Sequence, residues 1–83
     1  MAKVDIYTTR FCPFCIRAKA LLDKLNIAYH EISVDGDAPL RAKMEALTGG
    51  YTVPQILIND KPIGGCDDLH ALHANGQLLP MIK

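Results

Sequence analysis

The chain has no excess of charge in either direction: nine Lys and Arg stand against nine Asp and Glu in 83 residues. That balance gives neither the basic stripe of a nucleic-acid reader nor a cationic face for anionic lipid. No apolar run approaches membrane-spanning length, so no membrane partner is expected. The start, Met1-Ala2-Lys3-Val4-Asp5, lacks the apolar centre of a signal peptide and runs straight into strand-like sequence. Cysteine is scarce and odd in number, three in all, which is no disulfide framework. Without an export signal, the expected compartment is a reducing cytoplasm. Repeats, linkers and low-complexity segments are missing too. The chain is read as one domain over residues 1–83, long enough for a single core.

What is present is an alternation of strand and helix patterns. Lys3 to Thr8 is a short β-rich run with Val4 and Ile6 on one face. From Pro13 to Leu25 the residues Ala18, Leu21, Leu22 and Leu25 recur at helical spacing. Ala28 to Val34 alternates as a second strand. Asp37 caps a helix with Pro39 near its start and Leu40, Met44 and Leu47 inward, ending at Gly49-Gly50. Gln55 to Ile58 is a continuous apolar strand, and Asn59-Asp60-Lys61 turns it into a short return strand that Pro62 confines to an edge. A last helix runs from Cys66 or Asp67 to Ala74, followed by a helical turn over Leu78 to Ile82. The order βαβαββα predicts a mixed four-stranded α/β sheet flanked by helices.

The chain is organised around Thr9-Arg10-Phe11-Cys12-Pro13-Phe14-Cys15, where a strand hands over to a helix. Cys12 falls at the helix start, where unpaired N–H groups and the positive dipole end favour the thiolate that acts as nucleophile. Pro13 suits the first helical position because its missing N–H has no partner there in any case. Cys15, one turn on, reaches back to Cys12 but is more shielded, which suits an attacking and a resolving thiol. A disulfide across so short a span constrains the unfolded chain little. Zinc wants a second close pair, and Cys66, His30, His70 and His73 form none, so no metal is expected. Cys-x-x-Cys beside a βαβ pattern is the context of thioredoxin-like redox chemistry. Downstream, Gly64-Gly65 then Cys66-Asp67-Asp68 joins a permissive backbone to a helix N-terminus. Such an end takes a carboxylate, and its aspartates an ammonium, or else they only cap the helix. The three histidines show no partner that would make one a catalytic base.

Cys12-Pro13-Phe14-Cys15, Thr52-Val53-Pro54 and Gly64-Gly65-Cys66-Asp67-Asp68, in that order, resemble a dithiol glutaredoxin of the small bacterial glutaredoxin 3 type. The resemblance covers essentially the whole chain and implies the thioredoxin-like fold. It implies a cis Val53–Pro54 bond, with Val53 offering its N–H and C=O to an extended substrate; the residues alone also allow a trans proline opening a strand. It implies that Gly65, Cys66, Asp67 and Asp68 take the γ-glutamyl end of glutathione, with Thr52, Val53, Pro54 and Phe14 lining the same site. Phe14 replaces a common Tyr, and Cys66 reads as a small filler. The chain departs from the pattern at Thr9, where the family usually has Lys, and at Gly50-Tyr51, where many members have Arg or Gln. Arg10 is the candidate replacement for the glycyl carboxylate, ahead of Lys43 and Arg17.

The activity so implied is glutathione-dependent reduction of protein disulfides and glutathionylated proteins by a monomer. Ribonucleotide reductase, which some members serve, is a candidate partner. Two other readings stay open. One is a glutaredoxin-like redoxin reduced by thioredoxin reductase, and the other an iron–sulfur cluster carrier ligated through glutathione.

Overall fold

The computed structural model describes residues 2–82. Its elements are β1 (Val4–Thr8), α1 (Pro13–Lys24), β2 (His30–Ser33), α2 (Ala38–Thr48), β3 (Gln55–Ile58), β4 (Lys61–Gly64), α3 (Cys66–Ala74) and α4 (Leu78–Ile82). The strands lie in the order β2-β1-β3-β4, so β1 and β3 are central. The β1–β2 pair is parallel, with Asp5 opposite His30. The β1–β3 and β3–β4 pairs are antiparallel, with Ile6 opposite Ile56 and Ile58 opposite Lys61. Pro62 does sit on an edge strand, where its missing N–H costs no ladder bond.

Both faces of the centre are covered, which is why all five residues of β1 are buried. On one face Val4, Ile6, Ile56 and Ile58 pack against Ala18, Leu21 and Leu22 of α1, Leu69 of α3 and Leu78 of α4. On the other, Tyr7 and Leu57 meet Val34, just after β2, and Met44 of α2. Each fully buried Leu or Ile contributes about 1.5–3 kcal/mol of transfer free energy. The second face has a single helix over four strands, and this corrects the expectation for Leu47. It is 47% exposed, because the covered stripe is only wide enough for Met44 and part of Leu40.

Local chemistry sets the ends of these elements. Asp37 accepts the Leu40 N–H at 3.0 Å, and Gly49 closes α2 at φ +74°. Asn59 and Asp60 both have positive φ, as a two-residue hairpin turn demands. No helix among the described residues is long and apolar enough to cross a membrane.

Candidate functional site

Three connections meet at one end of the sheet: β1 to α1, α2 to β3, and β4 to α3. The first delivers Cys12 as the N-cap of α1, in extended conformation, with Pro13 in the first turn. The Cys15 N–H donates to Cys12 Sγ at 3.1 Å, so the cap is made by sulfur in place of the usual oxygen. The second connection contains a cis Val53–Pro54 bond. Cys12 Sγ–H donates to the Val53 C=O at 3.7 Å, which ties the two connections together. The third turns sharply at Gly64, whose φ of +109° excludes most side chains. Asp68 accepts the Gly65 N–H at 3.0 Å from the third position of α3, the acidic half of a capping box. Glycine supplies no side chain for the other half.

The two sulfurs of the motif differ in their surroundings. Cys12 is 7% exposed and Cys15 1%. Burial, then the hydrogen bond with Cys12, pushes the Cys15 thiol up to about 12. Cys15 is therefore held protonated while Cys12 occupies the helix start. Both thiols, and that of Cys66, are free.

Beside Cys12 lies an open cavity of about 460 Å³, a size in the range of small-ligand clefts. One wall is Thr52, Val53 and Pro54 with Gln55 behind them, and the opposite wall is the stretch from Gly64 to Asp68. Phe14 closes one side. A Cβ at Gly65 would stand 3.2 Å from the Pro54 carbonyl, so the walls approach each other closely there. Gln55 holds the first wall by donating Nε2 to the Thr52 carbonyl at 2.9 Å.

Eight of the residues picked out from the sequence thus share one cavity: Phe14, Thr52, Val53, Pro54, Gly65, Cys66, Asp67 and Asp68. Arg10 does not join them. Its backbone N–H and its guanidinium both engage Asp35, the latter at 3.5 Å, and it borders a separate hollow with Thr9, Ile16 and Lys19. Lys43 borders another hollow, with Lys3 and His30. Arg17 does not line the cavity either, but its guanidinium lies 5.9 Å from the ring centroid of Phe14, which does. That pair lies at i, i+3 on a helix, a spacing visible in sequence.

Two features escaped the sequence reading. Arg41 of α2 donates to the Tyr51 carbonyl at 2.9 Å, beside the Thr52–Val53 wall. No sequence signal links residues on separate elements in this way. The second is a correction: His70 has a partner. Its Nδ1 stands 2.9 Å from the Cys66 carbonyl and 3.5 Å from Cys66 Sγ. A carbonyl only accepts, so Nδ1 carries the proton in that contact. The i, i+4 spacing of Cys66 and His70 was the available clue. Burial pushes the Cys66 thiol up, against the opposing charge of Arg17. At 4% exposure Cys66 is packed into the wall.

Comparison with known proteins gives a consistent answer. A family model described as Glutaredoxin matches residues 4–63. Glutaredoxin 3 of Escherichia coli is 51% identical over 83 residues, which is the whole of both chains. A glutaredoxin of Pseudomonas aeruginosa is 51% identical over 78 residues, 94% of this chain and 93% of its own. Among solved structures, the glutaredoxin of Brucella melitensis matches with a TM-score of 0.88 and 44% identity, over 100% of this chain and 90% of that one. A buckwheat glutaredoxin–glutathione complex matches with a TM-score of 0.89 and 33% identity, over 98% and 76%.

Proposed function

The chain belongs to the glutaredoxin family, and on that premise we propose that it is a glutathione-dependent thiol–disulfide oxidoreductase in which Cys12 attacks and Cys15 resolves. The observation that carries this reading is the setting of the Cys12 sulfur. It lies between the Cys15 N–H and the Val53 carbonyl, and Val53 belongs to one wall of a cavity whose opposite wall is a helix N-terminus. A donor aimed at a sulfur serves it both as attacking and as leaving group.

With a glutathionylated protein, the Cys12 thiolate attacks the glutathione sulfur. The protein–glutathione S–S bond breaks, and the protein sulfur leaves and takes a proton. The Cys12–glutathione disulfide so formed is attacked by a second glutathione thiolate, giving oxidised glutathione and regenerating Cys12. With a protein disulfide, the Cys12 thiolate attacks one protein sulfur; the protein S–S bond breaks, the other sulfur leaves and takes a proton, and a Cys12–protein mixed disulfide remains. Cys15, deprotonated as it attacks, then displaces that sulfur and closes Cys12–Cys15, which two glutathione molecules reduce.

The tripeptide lies extended along Val53, its γ-glutamyl end at Gly65 to Asp68 and its cysteine at Cys12. Phe14, Thr52 and Pro54 form the rest of its surroundings. For the glycyl carboxylate we assign Arg41 in place of Arg10, since Arg41 stands beside the Tyr51–Val53 segment while Arg10 is engaged by Asp35. The proposed partners are glutathione and disulfide-bearing or glutathionylated proteins in a reducing cytoplasm, ribonucleotide reductase among the candidates.

Two substitutions test the roles. Cys12→Ser is expected to abolish both activities, while Cys15→Ser spares deglutathionylation and loses protein-disulfide reduction. Equal loss of both in Cys15→Ser refutes the division of labour. The absence of Lys at position 9 and the engagement of Arg10 favour one second reading, a redoxin served by thioredoxin reductase. Reduction of the Cys12–Cys15 disulfide by glutathione, against thioredoxin reductase with NADPH, decides between them.

A further inference from the structure

Phe11 is 93% exposed, Tyr51 74% and Phe14 51%. The chain has five aromatic residues, and these three all stand within two positions of Cys12 or Val53. Single exposed apolar side chains are ordinary, but three of five beside the two segments that meet at Cys12 are not scattered. Phe11 and Tyr51 lie outside the cavity lining. A hydrogen bond holds the backbone beside Phe11 and at Tyr51. Asp35 holds the N–H of Arg10, next to Phe11, and Arg41 holds the carbonyl of Tyr51. Both rings are therefore presented from fixed points, and a pre-organised aromatic loses little entropy on contact.

We propose that Phe11 and Tyr51 are specificity-determining residues. They form an apolar rim that selects disulfides in extended segments whose oxidised cysteine is flanked by bulky aliphatic or aromatic side chains. This rests on the thiol-exchange reading above. With the glutathione half of a mixed disulfide along Val53, the segment joined to it through sulfur leaves past the opening, beside which Phe11 and Tyr51 are exposed. Covering part of one ring corresponds to a preference on the order of tenfold.

The test uses three glutathione mixed disulfides: a hexapeptide with Leu and Phe beside its cysteine, the same peptide with Ser at both positions, and 2-mercaptoethanol. The native protein is expected to favour the Leu/Phe peptide over the Ser peptide by about tenfold or more in kcat/KM. In the double variant Phe11→Ser, Tyr51→Ser that ratio falls to within about twofold, while turnover of the 2-mercaptoethanol disulfide stays within about twofold of native. Equal rates on both peptides in the native protein, or an unchanged ratio in the double variant, overturns the rim. Should the double variant also lose the small-disulfide rate, the single variants carry the test, each losing about threefold of the ratio. A native protein inert on all three disulfides refutes the thiol-exchange reading, and the rim with it.

Discussion

The asymmetry between the two motif cysteines can be read directly by alkylation. An ordinary cysteine titrates near about 8.5, and only its thiolate reacts. Cys15, pushed up to about 12, has on the order of a thousandfold less thiolate than such a thiol at neutral pH. Its 1% exposure limits access further. Reduced protein treated with substoichiometric iodoacetamide at pH 7, then quenched, digested and weighed, is expected to carry the label on Cys12. Cys15 and the buried Cys66 stay unlabelled. In guanidinium all three react. The causes can be separated as well. Burial leads and the Cys12 hydrogen bond comes second, so Cys12→Ser should leave Cys15 slow. If Cys15 then alkylates like a free thiol, its neighbour and not its burial held it back, and the reasoning fails. Comparable labelling of Cys12 and Cys15 in the native protein refutes it outright. The ordering has a mechanistic consequence too. Two of the influences raising Cys15 come from Cys12, and both weaken once Cys12 is drawn into a mixed disulfide. The resolving thiol is thereby eased toward its thiolate at the stage that needs it.

Two further outcomes follow from the geometry. Gly64→Ala would drive a Cβ into Asp68 Oδ2 at a φ of +109°, so it should cost about 2 kcal/mol or more and displace the carboxylate that holds Gly65; an unchanged urea midpoint and unchanged glutathione binding would contradict the turn. Glu31 is held below its usual value by hydrogen bonds from Lys19 and Thr8. A depressed acid stabilises above its unfolded pKa, and that contribution fades as pH falls through the folded one. With the Glu31 side chain 40% exposed, screening leaves about 0.5 kcal/mol. Glu31→Gln should therefore lower stability at pH 7 by about that much and flatten the decline on the acid side, between about pH 5 and 3. Parallel stability–pH curves for native and variant would remove Glu31 from the account.

The fold was legible because its signals are local. Asp37 with Pro39, Gly49, Asn59-Asp60 and the positions of Leu21 and Leu22 each act within a turn or two, and each appears where its chemistry required. The cavity was legible for a related reason. Its walls are three short contiguous segments, and contiguity survives folding. What sequence could not give was the partner of a charge. Arg10 and Asp35 are 25 positions apart and meet only because β1 and β2 run parallel and end together. Arg41 and Tyr51 meet because α2 packs back over β3. Leu47 failed for the converse reason: the helical period assigned it a face, but only the count of helices on that side of the sheet decides how much of a face is covered. The same limit applies to Phe11 and Tyr51. Sequence shows two aromatic residues near a motif, and nothing local distinguishes a ring packed inward from one turned out. The structure shows both turned out, with the backbone beside Phe11 and at Tyr51 held by Asp35 and Arg41.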